Sequence, residues 1–506
     1  MLQPAGKLRA EEAMARHCVG RQAQWIGVAA ALLWFAGCAG PPPKARETLQ
    51  LTSRVQKVVD GTADPLDDEL SAGPAEFSGE HPLEFYQRVA LDRHPEIRAA
   101  RHRVRAAEYE VVRARQLDDP MLTESFQPFD RHSVQTAAGR GVNTLAVSQK
   151  FPWFGELEQR AAVADRQTQI ELARLAKAEQ QVREAVALAY HDLWYAQQAM
   201  AITEANRGLL QDLLRFAEAR YRTGTTSQQD VLRAQVEIHR LEDQLIFWRR
   251  RRDQARADLA RLLHVSPETE LAAAEPETPP VAAQVDALYR AAIRCRPELR
   301  ERLQMLAREQ EEVRLAELQY YPDVTVGLNW QAIDRNAAIS PVANGNDNLA
   351  FTVGVNLPIW RERLDAAVRS AEQRLIAAGH AFDAERDTAF QQIKRLHVQA
   401  RALEEQLQLY AESIIPTARQ TLKVSVADYQ VAKVDFDQLI DNWADLLRYQ
   451  LQQAQLRALL GQTLASLERT VGCALAEVDG APADDATGDG PAVDSAETGR
   501  RSQRRP

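Results

Sequence analysis

Apolar and polar residues follow two different periods along this chain, and the switch between them happens twice in the same order. Val324, Val326, Leu328 and Trp330 alternate with Thr325, Gly327 and Asn329, and Phe351, Val353, Val355 and Leu357 alternate with Thr352, Gly354 and Asn356. A period of two with one apolar face predicts two half-buried strands. The loop between them, Asp334 to Asn348, carries Asn, Gly and Pro. An earlier pair is fainter: Leu145 and Val147 alternate with Thr144, Ala146 and Ser148, preceded by a weaker strand over Met121 to Gln127. After each pair the period lengthens. Trp153 to Tyr221 holds no Pro and only Gly155 and Gly208, which predicts a helix of roughly 100 Å at 1.5 Å per residue. Val182, Val186, Ala189, Leu193, Ala196 and Met200 repeat along it in steps of three and four. Val231, Ala234, Ile238, Leu241, Leu245 and Trp248 do the same in a returning helix, continued by Ala255, Leu259 and Leu262. Leu439, Asn442, Leu446, Tyr449, Gln453, Leu456 and Leu460 form a third such seam. These are coiled-coil spacings. The connections Thr223-Gly224-Thr225-Thr226 and Val431-Ala432-Lys433-Val434 are short, so the paired helices form antiparallel hairpins.

The two series are copies. Arg93-His94-Pro95-Glu96-Ile97 is echoed by Cys295-Arg296-Pro297-Glu298-Leu299, and Asp119-Pro120 by Tyr321-Pro322. Phe151-Pro152-Trp153-Phe154 is echoed by Leu357-Pro358-Ile359-Trp360, and Tyr221 by Tyr429. The offsets are 202, 202, 206 and 208 residues, and near-constant spacing across separate anchors marks an internal repeat. Each half predicts a helix, two strands, a very long helix, a turn and a long helix. Two isolated strand hairpins have no second sheet to pack against. Lipid supplies the missing apolar partner if several chains close a barrel, because a membrane admits no open sheet edge. The fold expected is mainly α with a small β part: duplicated long helical hairpins plus four strands per chain.

The ends of the chain change the picture. Arg16 and Arg21 precede a short apolar run, Trp25 to Gly37, that closes on Phe35-Ala36-Gly37-Cys38. This is the order of a secretory signal, and its last four residues resemble a bacterial lipobox with Phe in place of the usual Leu. Cys38 is then the expected lipidation site. Residues before Met14, with Glu11 and Glu12, are atypical of a signal, so the start is either Met1 or Met14. The organisation read from the sequence is a signal peptide over 1–37, a lipidated tether over 38–80 and a first structural repeat over 81–278. A second repeat over 279–474 and a disordered Asp-, Ala-, Gly- and Pro-rich tail over 475–506 complete it. No stretch of about 20 apolar residues predicts a transmembrane helix. The remaining thiols, Cys295 and Cys473, form no Cys-x-x-Cys pair and imply neither a disulfide framework nor a zinc site.

A net charge of −9 argues against a nucleic-acid partner, and the run Arg249 to Arg252 reads as a solvated helix face. Phosphate-loop, zincin and nucleophile-elbow patterns are absent from the sequence, so no enzyme, cofactor or metal site is expected. Phe151-Pro152-Trp153-Phe154-Gly155 marks a switch from strand to helix, with Pro at the first helical turn and aromatics suited to a membrane interface.

The whole arrangement, from about His81 to Gly472, resembles the TolC-like outer membrane efflux family. Tyr221-Arg222-Thr223-Gly224 with Asp230-Val231-Leu232 is similar to the family's first helical tip. Tyr429, Lys433-Val434-Asp435-Phe436 and Leu439-Ile440-Asp441 are similar to its second, and Leu467-Glu468-Arg469 with Val471-Gly472 to its closing signature. The resemblance implies a homotrimer whose strands close one 12-stranded membrane β-barrel and whose helices extend it as an α-barrel through the periplasm. It implies a periplasmic adaptor protein met at the tips, through Tyr221, Gly224, Thr225, Tyr429, Ala432 and Lys433, and an inner-membrane pump. It also implies an outer-membrane location in contact with lipid. Family acidic positions nine and twelve residues after the tip Tyr fall on Gln438 and Asp441, and Asp230 is the equivalent of the first in the other repeat. These three are the candidate constriction, with three Asp441 carboxylates repelling one another about a three-fold axis. Ala432 stands where the family has Gly, so the two tips are expected to differ in geometry. Phe151 to Gly155 with Lys433 to Phe436 looks most like the heavy-metal-efflux (CusC and CzcC) branch. The expected function is a passive exit duct for small molecules or metal ions. A non-transporting coiled-coil scaffold lipoprotein and a type I protein secretion duct are the alternatives.

Overall fold

The computed structural model describes residues 48, 49, 52, 53, 77–126, 140–277, 281, 284–334, 346–431 and 433–475. The chain divides into two units, Met1–Glu69 and Leu70–Pro506. In the first, Thr48, Leu49, Thr52 and Ser53 are helical, and the Thr52 hydroxyl donates to the Thr48 carbonyl at 2.9 Å. Cys38, Met14, Ala432 and the tail beyond Leu475 lie outside the described residues.

The second unit runs β1 (Glu80–His81), α1 (Leu83–Arg93), α2 (Pro95–Ala114), β2 (Met121–Phe126), β3 (Arg140–Phe151), α3 (Glu156–Arg222) and α4 (Gln228–Leu263). The second half then repeats the order as β4 (Ala272–Ala273), α5 (Val285–Cys295), α6 (Pro297–Leu318), β5 (Val324–Asp334), β6 (Asn348–Val355), α7 (Arg361–Leu409), α8 (Ile415–Gln430) and α9 (Phe436–Val471). The long helix α3 has 67 residues, about 100 Å. Most predicted seam positions are buried, among them Val182, Val186, Leu193, Ala234, Leu241, Leu245, Leu259, Leu439, Leu456 and Leu460, while Met200, Val231, Trp248, Asn442, Tyr449 and Gln453 are half-buried.

Two features depart from the simple helix–strand–helix reading, and proline explains both. The first helix of each half is broken, at His94 and at Arg296, which adopt φ −61°, ψ 125° and φ −60°, ψ 119°. A following proline disfavours the helical region for the residue before it, and Pro95 and Pro297 then start the next helix. The second half's long helix is likewise interrupted. A π-helical turn, Tyr410–Ile414, separates α7 from α8. Pro416 lacks an N–H to continue the ladder, and the chain shifts by one residue there. Phe77, at the end of the segment read as a tether, is buried at 1% exposure, and Glu80–His81 pairs with Ala272–Ala273. Tyr86 and Tyr190 clamp this pair through the carbonyls of Ala272 and Ala274, at 2.9 and 2.8 Å.

The four longer strands form one antiparallel sheet in the order β2-β3-β5-β6. Register places Leu122, Val147, Leu328 and Phe351 in one row and Glu124, Leu145, Trp330 and Leu349 in the next. Alternate rows carry Ser148, Gly327 and Thr352, or Thr144, Gln331 and Asn348. The sheet therefore has one mainly apolar face, interrupted by Glu124 on β2, and one mainly polar face. The apolar row is uncovered, with Leu122, Val147, Leu328 and Phe351 exposed by 52%, 44%, 49% and 70%. The helices follow the same lateral order. Beside the sheet α2, α3, α6 and α7 pack in sequence, and further along α4, α3, α9 and the α7–α8 helix do so. Sheet and helical layer thus end at the same two flanks.

An ionic cluster ties the start of the second half to its last helix and reaches the first half through Glu184. Arg296, 3% exposed, donates to the Thr470 carbonyl at 2.7 Å and to Glu385 at 3.1 Å. Arg469 reaches Glu298 at 3.3 Å and Glu184 at 3.4 Å. Gly472 packs against this junction at φ 89°. A Cβ there would lie 2.6 Å from the Arg296 Cα, so both the left-handed backbone and the close approach require glycine.

Candidate functional site at the helical tips

The hairpin ends far from the sheet bring together most residues singled out in the sequence. At the first tip α3 closes on a left-handed Gly224, φ 73°. The Gly224 N–H donates to the Tyr221 carbonyl at 3.0 Å and the Thr225 N–H to the Arg220 carbonyl at 3.0 Å, the paired bonds of a Schellman cap. At the second tip the Lys433 N–H reaches back five residues to the Asp428 carbonyl at 2.9 Å. The expected difference in geometry at Ala432 falls outside the described residues. Tyr221, Gly224, Thr225 and Lys433 are exposed.

Tyr429 is different. Expected on the contacting surface, it is 4% exposed, whereas its repeat counterpart Tyr221 is 46% exposed. Phe216 and Phe436 pack on its ring, with centroids 6.0 and 5.5 Å away. The Arg220 guanidinium lies over the ring at 4.5 Å and donates to the Tyr429 carbonyl, a cation–π contact that ties α3 to α8. The Tyr429 hydroxyl donates to Asp230 at 3.2 Å. Burial raises the hydroxyl's pKa, which keeps it a neutral donor to the carboxylate. Asp230 also accepts from the Thr226 hydroxyl and from the Ser227 hydroxyl at 3.1 Å. It is thus held inside the junction between the two tips.

The other two constriction candidates lie on α9. Gln438 is exposed and donates to Asn442 at 3.2 Å, which donates to Ser425 at 2.7 Å. The Asp441 side chain is 66% exposed and lies 3.6 Å from Arg233 of α4. Arg233 also meets Asp437 at 2.6 Å. Arg220, Arg233 and Asp437 were not picked out from the sequence. One signal was there: Arg233 precedes Asp441 by 208 residues, the offset between the tip tyrosines.

The side chains at the tips meet through hydrogen bonds, a cation–π contact and ion pairs. Among the described residues no group of three or more His, Cys, Asp or Glu is placed to hold a metal ion. Among the same residues no helix is long and apolar enough to cross a membrane. A trough of about 920 Å³ runs beside the π turn, lined by Ile202, Ile415, Arg419, Lys423, Leu446 and Arg457 among others.

Comparison with known proteins places this geometry. The outer membrane efflux protein family model matches residues 87–264 and 288–473. No curated protein sequence matches the chain. Among solved structures, CusC is similar with a TM-score of 0.64 and 17% identity, over 78% of this chain and 93% of that one. VceC of Vibrio cholerae is similar with a TM-score of 0.63 and 20% identity, over 78% and 96%. The open state of the MtrE outer membrane channel of Neisseria gonorrhoeae gives 0.63 and 18%, over 82% and 95%. At these identities the structural likeness carries the fold, and it shows the duplicated hairpin-and-sheet plan read from the sequence.

Proposed function

The chain belongs to the outer membrane efflux protein family, and from that premise we propose how it forms a duct and what closes it. It is a component of an outer-membrane efflux channel. The observation that carries the working model is the sheet: one apolar face left uncovered, and open edges at β2 and β6. Both features are costly in water and are removed together when β6 of one copy pairs with β2 of the next in a bilayer. Three copies give twelve strands. The helical layer, open at the same flanks, closes alongside as a tunnel into the periplasm. Aromatic residues at the strand–helix switch, Trp153, Phe154 and Trp360, lie at the membrane boundary. Cys38 carries lipid and anchors the tether in the same membrane. The exposed tip residues Tyr221, Gly224, Thr225 and Lys433 meet a periplasmic adaptor coupled to an inner-membrane pump. The protein carries out no reaction of its own.

In this reading the tips are the gate, and Asp441 faces the conduit. The Tyr429–Asp230 bond joins the first hairpin to the second across 199 residues of sequence. A hydrogen bond to a charged acceptor contributes about 1.5–3 kcal/mol, and three of them resist spreading of the tips. Tyr429→Phe removes the bond and little volume. We expect its single-channel conductance in planar bilayers to exceed that of the unsubstituted protein, as we do for Asp230→Asn. Unchanged conductance in both variants would contradict the gate.

A further inference from the structure

We propose that Arg233 sets the ion selectivity of the tip by neutralising a carboxylate pair that faces the conduit. The inference deepens the reading above and rests on Asp441 facing the passage.

The repeat supplies the first observation. The offset that relates Tyr221 to Tyr429 relates Arg233 to Asp441 and Asp230 to Gln438. Duplication alone would place like residues at these sites. Instead one equivalent pair has opposite charges and the other has lost a charge in the second half. The structure supplies the second observation, because the oppositely charged equivalents meet. One guanidinium nitrogen lies 2.6 Å from Asp437 Oδ1 and the other 3.6 Å from Asp441 Oδ1. Asp437 and Asp441 are four residues apart and share one face of α9, so the planar fork of a single arginine spans both.

The contact is not a structural rivet. The side chains of Arg233, Asp437 and Asp441 are 37%, 59% and 66% exposed, and ion pairs in water add little to stability. What the arginine contributes is charge. The two neighbouring candidates do not replace it: the Asp230 carboxylate is held by Thr226, Ser227 and Tyr429, and Gln438 is neutral. Each chain therefore presents one cation beside two carboxylates at this level. From Arg233, Asp437 and Asp441 a trimer carries a net of three negative charges instead of the six it would carry without the arginine. The ring of mutually repelling Asp441 carboxylates expected from the sequence becomes a ring of Arg–Asp pairs with moderate cation preference.

The test is the reversal potential of the purified protein in planar bilayers under a KCl gradient. Across one Debye length, about 10 Å at 0.1 M salt, the loss of three cations raises the K⁺/Cl⁻ permeability ratio roughly five-fold, and Arg233→Gln is expected to do so. Arg233→Lys keeps the charge but loses the fork, and should stay within about two-fold of the parent. The exchange Arg233→Asp with Asp441→Arg restores the charge sum and should return the ratio towards the parent from the high value of Arg233→Asp alone. A conducting Arg233→Gln channel with the parental ratio would overturn the proposal and leave the channel reading standing. Loss of selectivity control in Arg233→Lys equal to that in Arg233→Gln would also overturn it, because geometry and not charge would then be decisive. If the unsubstituted protein does not conduct, the channel reading fails and this inference fails with it.

Discussion

A single methyl group added at Gly461 tests whether α3 and α9 meet as described. Gly461 lies in the interior of α9, where alanine is ordinarily better than glycine by about 1 kcal/mol. On propensity alone Gly461→Ala would stabilise the protein. The structure predicts the reverse. The new Cβ would stand 2.2 Å from Cε1, 2.4 Å from Nε2 and 2.7 Å from Nδ1 of His191. Carbon atoms pack at about 3.5–4.0 Å, so the ring must move by more than 1 Å. It has little room, since His191 is 4% exposed and packs edge-on against Tyr190 at 5.7 Å. Overpacking of this kind costs about 1–3 kcal/mol, enough to outweigh the helix gain. Thermal unfolding of the detergent-solubilised protein should show a lowered midpoint for Gly461→Ala. In the His191→Ala background the same substitution should be neutral or stabilising, giving a coupling of at least about 1 kcal/mol. A Gly461→Ala protein at least as stable as its parent, or strictly additive effects, would refute the packing.

The same histidine predicts a pH dependence. Burial lowers its pKa from 6.5 to about 4, so the folded chain keeps it neutral while the unfolded chain takes up a proton near pH 6.5. Between those values the unfolded state binds more protons, and stability falls as pH falls, by up to about 3 kcal/mol. Midpoints measured from pH 7 to 4.5 should drop less steeply in His191→Gln, and identical slopes would contradict the assignment. Cys38→Ser should abolish incorporation of labelled palmitate into the protein, and undiminished labelling would exclude Cys38 as the anchor.

Much of this architecture was legible before any coordinate. Period-two runs such as Val324 to Trp330 became strands because their alternation matches the pleat, and the heptads of α4 and α9 became buried seams. The duplicated anchors proved informative at backbone level, since Pro95 and Pro297 impose nearly the same dihedrals on His94 and Arg296. What escaped was set by long-range packing. Nothing local in Arg361 to Gln430 announces a π turn except Pro416. Tyr221 and Tyr429 look equivalent in sequence, yet one is exposed and the other buried, because only the second has Arg220, Phe216 and Asp230 around it. The Arg233 beside Asp441 is invisible to local pattern because it lies on a helix 208 residues earlier.

We propose that copies of this chain close a barrel by joining β2 of one to β6 of the next. Thiol cross-linking in isolated outer membranes tests it most directly. The protein should carry Cys295→Ser and Cys473→Ser, with Thr123→Cys combined in turn with Ala350→Cys, Thr352→Cys or Gly354→Cys, all on the polar face. At least one combination should yield dimer and trimer bands, and nothing larger, on denaturing gels. Monomer bands from every combination, or an open ladder beyond three, would contradict it.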